Sequence, residues 1–115
     1  MSEINRKIAV MRGYTVEKID GVFVLRHEGS FVECSRHETD AWFQAPDYEN
    51  ELDAAYPLFL DLLASHCDPA LVAGWEPDTV ECNTVEPNLS NAAPKDQPAL
   101  AIALTWVEWK ESLNG

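Results

Sequence analysis

The sequence predicts an α+β domain with elements in the order α-β-β-β-α-β-α, a small, mostly antiparallel sheet packed with helices. Two observations carry that prediction. The turns Asp20-Gly21 and Glu28-Gly29 separate short β-rich segments. Two later stretches, about 50–66 and from Pro98 onward, carry apolar residues at helical spacing. A length of 115 residues gives one modest core, so 1–115 is expected to be a single domain. With 46% hydrophobic and 24% charged residues the composition is that of an ordinary globular chain.

The elements follow in order. Ser2 is suited to cap a first helix in which Ile4, Ile8 and Met11 fall at i, i+4 and i+7, and Gly13 stops it at C′. Tyr14 to Ile19 and Val22 to Arg26 then form a hairpin, since Asp-Gly favours the type I′ turn. A second turn leads to a strand around Phe31 to Ser35. Residues 36–48 read as a connection. A second helix, about 50–66 and capped by Asp47 or Asn50, places Leu52, Ala55, Tyr56, Phe59, Leu62, Leu63 and His66 on one stripe. Asp53, Pro57 and Asp61 fall on the opposite, polar stripe, and the interior proline predicts a bend.

Cys67-Asp68-Pro69 ends that helix, and His66 is read as a helix-terminal cation. Ala70 to Trp75 is ambiguous. Thr79 to Val85 alternates, with Val80, Cys82 and Thr84 on one side and Glu81 and Asn83 in water. Residues 86–97 are rich in Pro, Asn, Ser and Ala and read as a long mobile loop. Asp96 or Gln97 caps a last helix with Pro98 at N1. In it Ala99, Ile102, Ala103 and Trp106 form one stripe and Leu100, Leu104 and Val107 another. A helix apolar on most of its circumference needs cover on more than one side. Either neighbouring helices supply it or a second subunit does, in a homo-oligomer with Leu104, Trp106 and Trp109 at the contact.

The charge balance, 8 basic against 20 acidic residues, gives −12. The deficit is local, because no Lys or Arg occurs from His37 to Pro94. Such a chain repels nucleic-acid backbones and anionic membranes, so neither is an expected partner. The acidic middle is read first as a solubilising face and second as a docking face for a basic partner. No stretch reaches the ~20 apolar residues of a membrane span, and MSEINRKIAVMRG lacks a signal peptide's apolar run, which suggests a cytoplasmic protein.

Cys34, Cys67 and Cys82 are odd in number and widely spaced, as reduced thiols are, with Cys34 and Cys82 expected to point inward from strands. Cys34, His37, His66 and Cys67 match no standard zinc spacing, so no metal is assigned. No nucleophile motif or phosphate-binding glycine loop is present either. Asp47 and Glu49 are accounted for as first-turn acids. The chain therefore reads as non-enzymatic, with no catalytic residue and no cofactor assigned.

Two segments resemble a family. Trp42-Phe43-Gln44-Ala45-Pro46-Asp47-Tyr48 followed by Asn50 to Tyr56 is similar to the aromatic-Pro-x-Tyr connection and following helix of the phage ABA sandwich domain proteins. Pro98 to Leu104 is similar to their C-terminal helix, and Asn5 to Tyr14 to their first helix and Gly-aromatic step. Pro57 and the long 86–97 segment depart from the family pattern. The resemblance implies a three-layer α/β/α sandwich, encoded by a phage or prophage and acting in the host cytoplasm. It supplies no catalytic residues.

Binding groups are available. Arg26, His27, Arg36 and His37 are cations at strand ends, and Trp42, Phe43 and Trp75 are aromatics in connections. Rings stack on tryptophan and guanidinium forks match phosphate oxygens, a combination suited to a small nucleotide. Arg26 and Arg36 should lie a strand length apart, so one copy alone would not cluster them. By analogy with phage proteins that sequester the nucleotide signals of host anti-phage defence, a nucleotide-sequestering protein is one expectation. An acidic inhibitor or adaptor that docks on a host protein, with no small ligand, is the other.

Overall fold

A computed structural model describes residues 2–114 and shows helices packed against two three-stranded antiparallel sheets, an α+β fold. The chain divides into two units, Met1–Asp47 and Tyr48–Gly115, each described by itself.

In the first unit α1 spans Glu3–Met11. Ser2 caps it as expected, its Oγ accepting from Asn5 N at 3.1 Å. Gly13 follows the C-cap Arg12 at φ +93°, where a side chain would be strained. The buried face is Asn5, Ile8 and Ala9, and Met11 is exposed rather than on the core stripe. Strands β1 (Tyr14–Ile19), β2 (Val22–His27) and β3 (Ser30–Ser35) form a meander in that order. Asp20 (φ +50°) with Gly21 (+81°), and Glu28 (+52°) with Gly29 (+87°), supply the paired left-handed residues of two tight turns.

Residues 36–48 are not simply a connection. A short helix α2, Glu38–Trp42, forms there, with Glu38 and Asp40 in its first turn where the dipole favours acids. It packs on the sheet and buries Ala41 and Trp42. The sequence pattern hid it because five residues are too few to show a helical period.

In the second unit α3 spans Leu52–Ala64. Its N-cap is Glu51, not Asp47 or Asn50; Glu51 O accepts from Ala54 N and Ala55 N, while Asp47 Oδ1 accepts from Asn5 Nδ2 at 2.6 Å in the other unit. The buried face is Ala55, Leu58 and Leu62. Leu52, Tyr56 and Leu63 of the expected stripe are exposed, and Asp61 of the polar stripe turns toward α4 (Pro98–Asn114). A buried tryptophan N–H draws the carboxylate inward: Trp106 Nε1 donates to Asp61 Oδ2 at 3.1 Å.

Strands β4 (Ala70–Ala73), β5 (Thr79–Asn83) and β6 (Ser90–Pro94) form the second antiparallel sheet in that order. β4 lies in the segment that the sequence left ambiguous. β6 replaces the middle of the expected loop. Its residues are small or poor strand formers, but Ser90 to Pro94 pair one-to-one with Asn83 to Thr79. Thr84 ties the segment before it: Thr84 N donates to Leu89 O, Leu89 N donates to Thr84 Oγ1, and Thr84 Oγ1 donates to Pro87 O.

Helix α4 begins at Pro98, as expected, and packs on α3, β5 and β6. Ala99, Ala101, Ile102, Ala103, Thr105, Trp106, Val107 and Trp109 are buried within one chain, while Leu100 and Leu104 are half-buried. Thr105 Oγ1 lies 3.0 Å from both Cys82 O and Ala101 O and accepts from Asn91 Nδ2 at 3.1 Å. One hydroxyl thus joins α4 to β5 and β6.

Candidate functional site

The cations of the first unit do not meet. Arg26 pairs with Phe31 and Ser35 pairs with Phe23 in the β2–β3 register. Arg36 therefore lies roughly 13 Å along the strands from Arg26, at about 3.3 Å per residue. Arg26 is also engaged: its Nε is 3.4 Å from Glu17 Oε1 and its Nη1 donates to Gly29 O. His27 has a structural place. Its ring stacks on Tyr14, directly opposite in the register, at 4.2 Å, and its Nε2 lies 3.0 Å from Arg12 O. A carbonyl only accepts, so Nε2 carries the proton. Arg36 and His37 are exposed at the end of β3.

The aromatics divide sharply. Trp42 is 5% exposed, with the Arg6 guanidinium 5.0 Å from its ring centroid, and its Nε1 is buried without a hydrogen-bond partner among the described residues. Phe43 is exposed. Of the proposed interface residues, Trp106 and Trp109 are buried within the chain and Leu104 is half-buried. Cys34 is exposed on β3, contrary to expectation, because its strand is exposed along its length. Cys67 and Cys82 are buried, and burial pushes both thiols above the ordinary value of 9.0. Asp68 adds to that shift at Cys67, and the Thr105 hydrogen bond opposes it at Cys82.

Trp75 stands apart. It is 95% exposed and lines an open pocket of about 270 Å³ with Glu76, Thr79, Glu81, Ser90 and Ala92. The β4–β5 hairpin positions it. Gly74 N donates to Thr79 O, and a Cβ on Gly74 would fall 1.9 Å from Thr79 Oγ1, so only glycine permits this closure. Thr79 Oγ1 donates to Glu76 O, and the half-buried Glu81 carboxylate accepts from Trp75 N at 2.7 Å and Ser90 Oγ at 3.0 Å. The lining has one bare indole, two carboxylates and no Lys or Arg. A ring face beside carboxylates attracts a cation.

Sequence reasoning singled out Trp75 but missed its companions Glu76, Thr79, Glu81 and Ser90. The signal was present in Gly74-Trp75 ahead of the alternating 79–85 segment, which reads as a hairpin once β4 is admitted. A second pocket, about 350 Å³, lies on the outer face of α1 between Glu3, Arg6, Lys7, Val10 and Met11. Comparison with protein-family models, curated proteins and solved structures finds no match.

Proposed function

We propose that this protein works by docking on another protein, through the acidic surface of its second unit that carries Trp75. The observation behind this reading is the bare indole beside Glu76 and Glu81. Covering a tryptophan ring of ~150 Å² is worth roughly 4 kcal/mol at about 25 cal/mol/Å². Its acidic surroundings select a partner with basic side chains. The phage or prophage origin implied by the family resemblance suits such a role, as an inhibitor or adaptor of a host protein.

The nucleotide-sequestering reading rests on Arg36, His37 and Phe43, which are exposed in the first unit. It has less to support it, because Arg26 is engaged and Trp42 is buried. A ligand that needs both arginines also needs the second copy of a homo-oligomer. Calorimetry separates the two readings. The docking reading expects heat with a lysine- and arginine-rich peptide, lost in Trp75→Ala, and none with cyclic dinucleotides or ADP-ribose. Heat with a nucleotide that vanishes in Arg36→Glu would replace it.

A further inference from the structure

The edge of the second sheet is open beside this surface. β4 is an edge strand, and Ala70, Leu71, Val72 and Ala73 are all exposed. α4 packs on β5 and β6, so β4 overhangs. The strand carries no charge, although edge strands are usually guarded by lysine or another inward-pointing charge. The direction of its backbone groups follows from the register. Gly74 N donates to Thr79 O, which turns Gly74 toward β5. Backbone groups alternate sides along a strand, so Val72 and Ala70 also face β5, while Leu71 and Ala73 present N–H and C=O outward. The opening is bounded. Pro69 has no N–H to offer, and Trp75 N is already bonded to Glu81.

We infer that β4 accepts an extended segment of a partner protein as a fourth, antiparallel strand, hydrogen-bonded to Leu71 and Ala73 and alternating apolar with basic residues. The inference rests on the docking reading and names its binding mode. Strand addition takes its affinity from main-chain bonds and its selectivity from alternate side chains. On one face of the enlarged sheet the incoming residues meet Leu71 and Ala73, which asks for apolar side chains. On the other face they lie beside Val72, whose cross-strand neighbour is Glu81. Two strand spacings of about 4.8 Å separate that position from Glu81, within reach of a lysine or arginine. Asp68 and Glu76, both exposed, flank the edge with further negative charge. A second copy of this chain brings no Lys or Arg between 37 and 94, so charge favours a basic partner over self-pairing.

The test uses the full chain, isotope-labelled, with an alternating lysine–valine heptapeptide as probe. Amide exchange at Leu71 and Ala73 should slow by about tenfold on binding, while Val72, already facing β5, changes little. The same peptide N-methylated at alternate backbone amides, and a glutamate–valine counterpart, should each bind at least about tenfold more weakly. If Trp75 responds to the peptide while Leu71 and Ala73 exchange unchanged, strand addition is wrong and docking stands. If neither responds, both fail. Slowed exchange at Leu71 and Ala73 that grows with protein concentration, without peptide, would make a second copy the occupant and overturn the basic-partner assignment.

Discussion

His66 carries a backbone role that its side chain does not announce. The sequence places it at the helix terminus, and its φ of +61° makes it the left-handed C′ residue that ends α3. His66 N donates to Leu63 O and Cys67 N to Leu62 O, the paired bonds of a Schellman motif, with Leu62 and Cys67 both buried beneath. Non-glycine residues pay about 1 kcal/mol there. His66→Gly should therefore raise unfolding stability by roughly that amount, read from denaturant midpoints; a loss would contradict the motif. Thr105 is the converse case, a buried hydroxyl that the apolar stripes passed over. Thr105→Val should cost about 1–3 kcal/mol, since Asn91 Nδ2 and Cys82 O each lose a partner. The thiols give a pH prediction. Cys67 and Cys82 are raised in the folded state, so their contribution is present below 9.0 and lost as pH rises from there through the folded values. At neutral pH a thiol reagent should label Cys34 in the folded protein and spare the other two, whereas rapid labelling of all three would contradict their burial.

At the scale of elements, legibility followed periodicity and turn chemistry. The first three strands and α4 were visible because Asp-Gly and Glu-Gly turns and Pro98 mark their boundaries in local residues. β4 and β6 were not, because their pairing is made by partners rather than by their own composition: Ala70 to Ala73 is too short to show a period, and Ser90 to Pro94 is depleted in strand formers. The same limit hid the Trp75 pocket, whose lining comes from two strands and a turn. Pro57 remains an element-level cost within α3. An interior proline costs about 3 kcal/mol, and its restriction of the unfolded chain returns about 1. Pro57→Ala should accordingly stabilise by roughly 2 kcal/mol in a chemical melt; an unchanged or lower midpoint would show that the surrounding packing requires the proline.

For the whole molecule, charge sets the behaviour. A net −12, with no Lys or Arg from His37 to Pro94, stores self-repulsion that salt screens over a Debye length of about 8 Å at 0.15 M. The melting temperature should rise as sodium chloride goes from roughly 0.01 to 0.15 M; a fall would mean that ion pairs such as Arg6–Glu38 outweigh the repulsion. The acidic stretch is plain in the sequence, but the exposure of Trp75 beside Glu81 emerges only in the fold. The most direct test is to follow the side-chain indole signals of the four tryptophans while adding a basic peptide and, separately, a nucleotide panel. The Trp75 indole should shift with the peptide while Trp106 and Trp109 stay still, and nucleotides should move none of them. A silent Trp75, with nucleotide-induced shifts around Arg36 and His37, would contradict the docking reading.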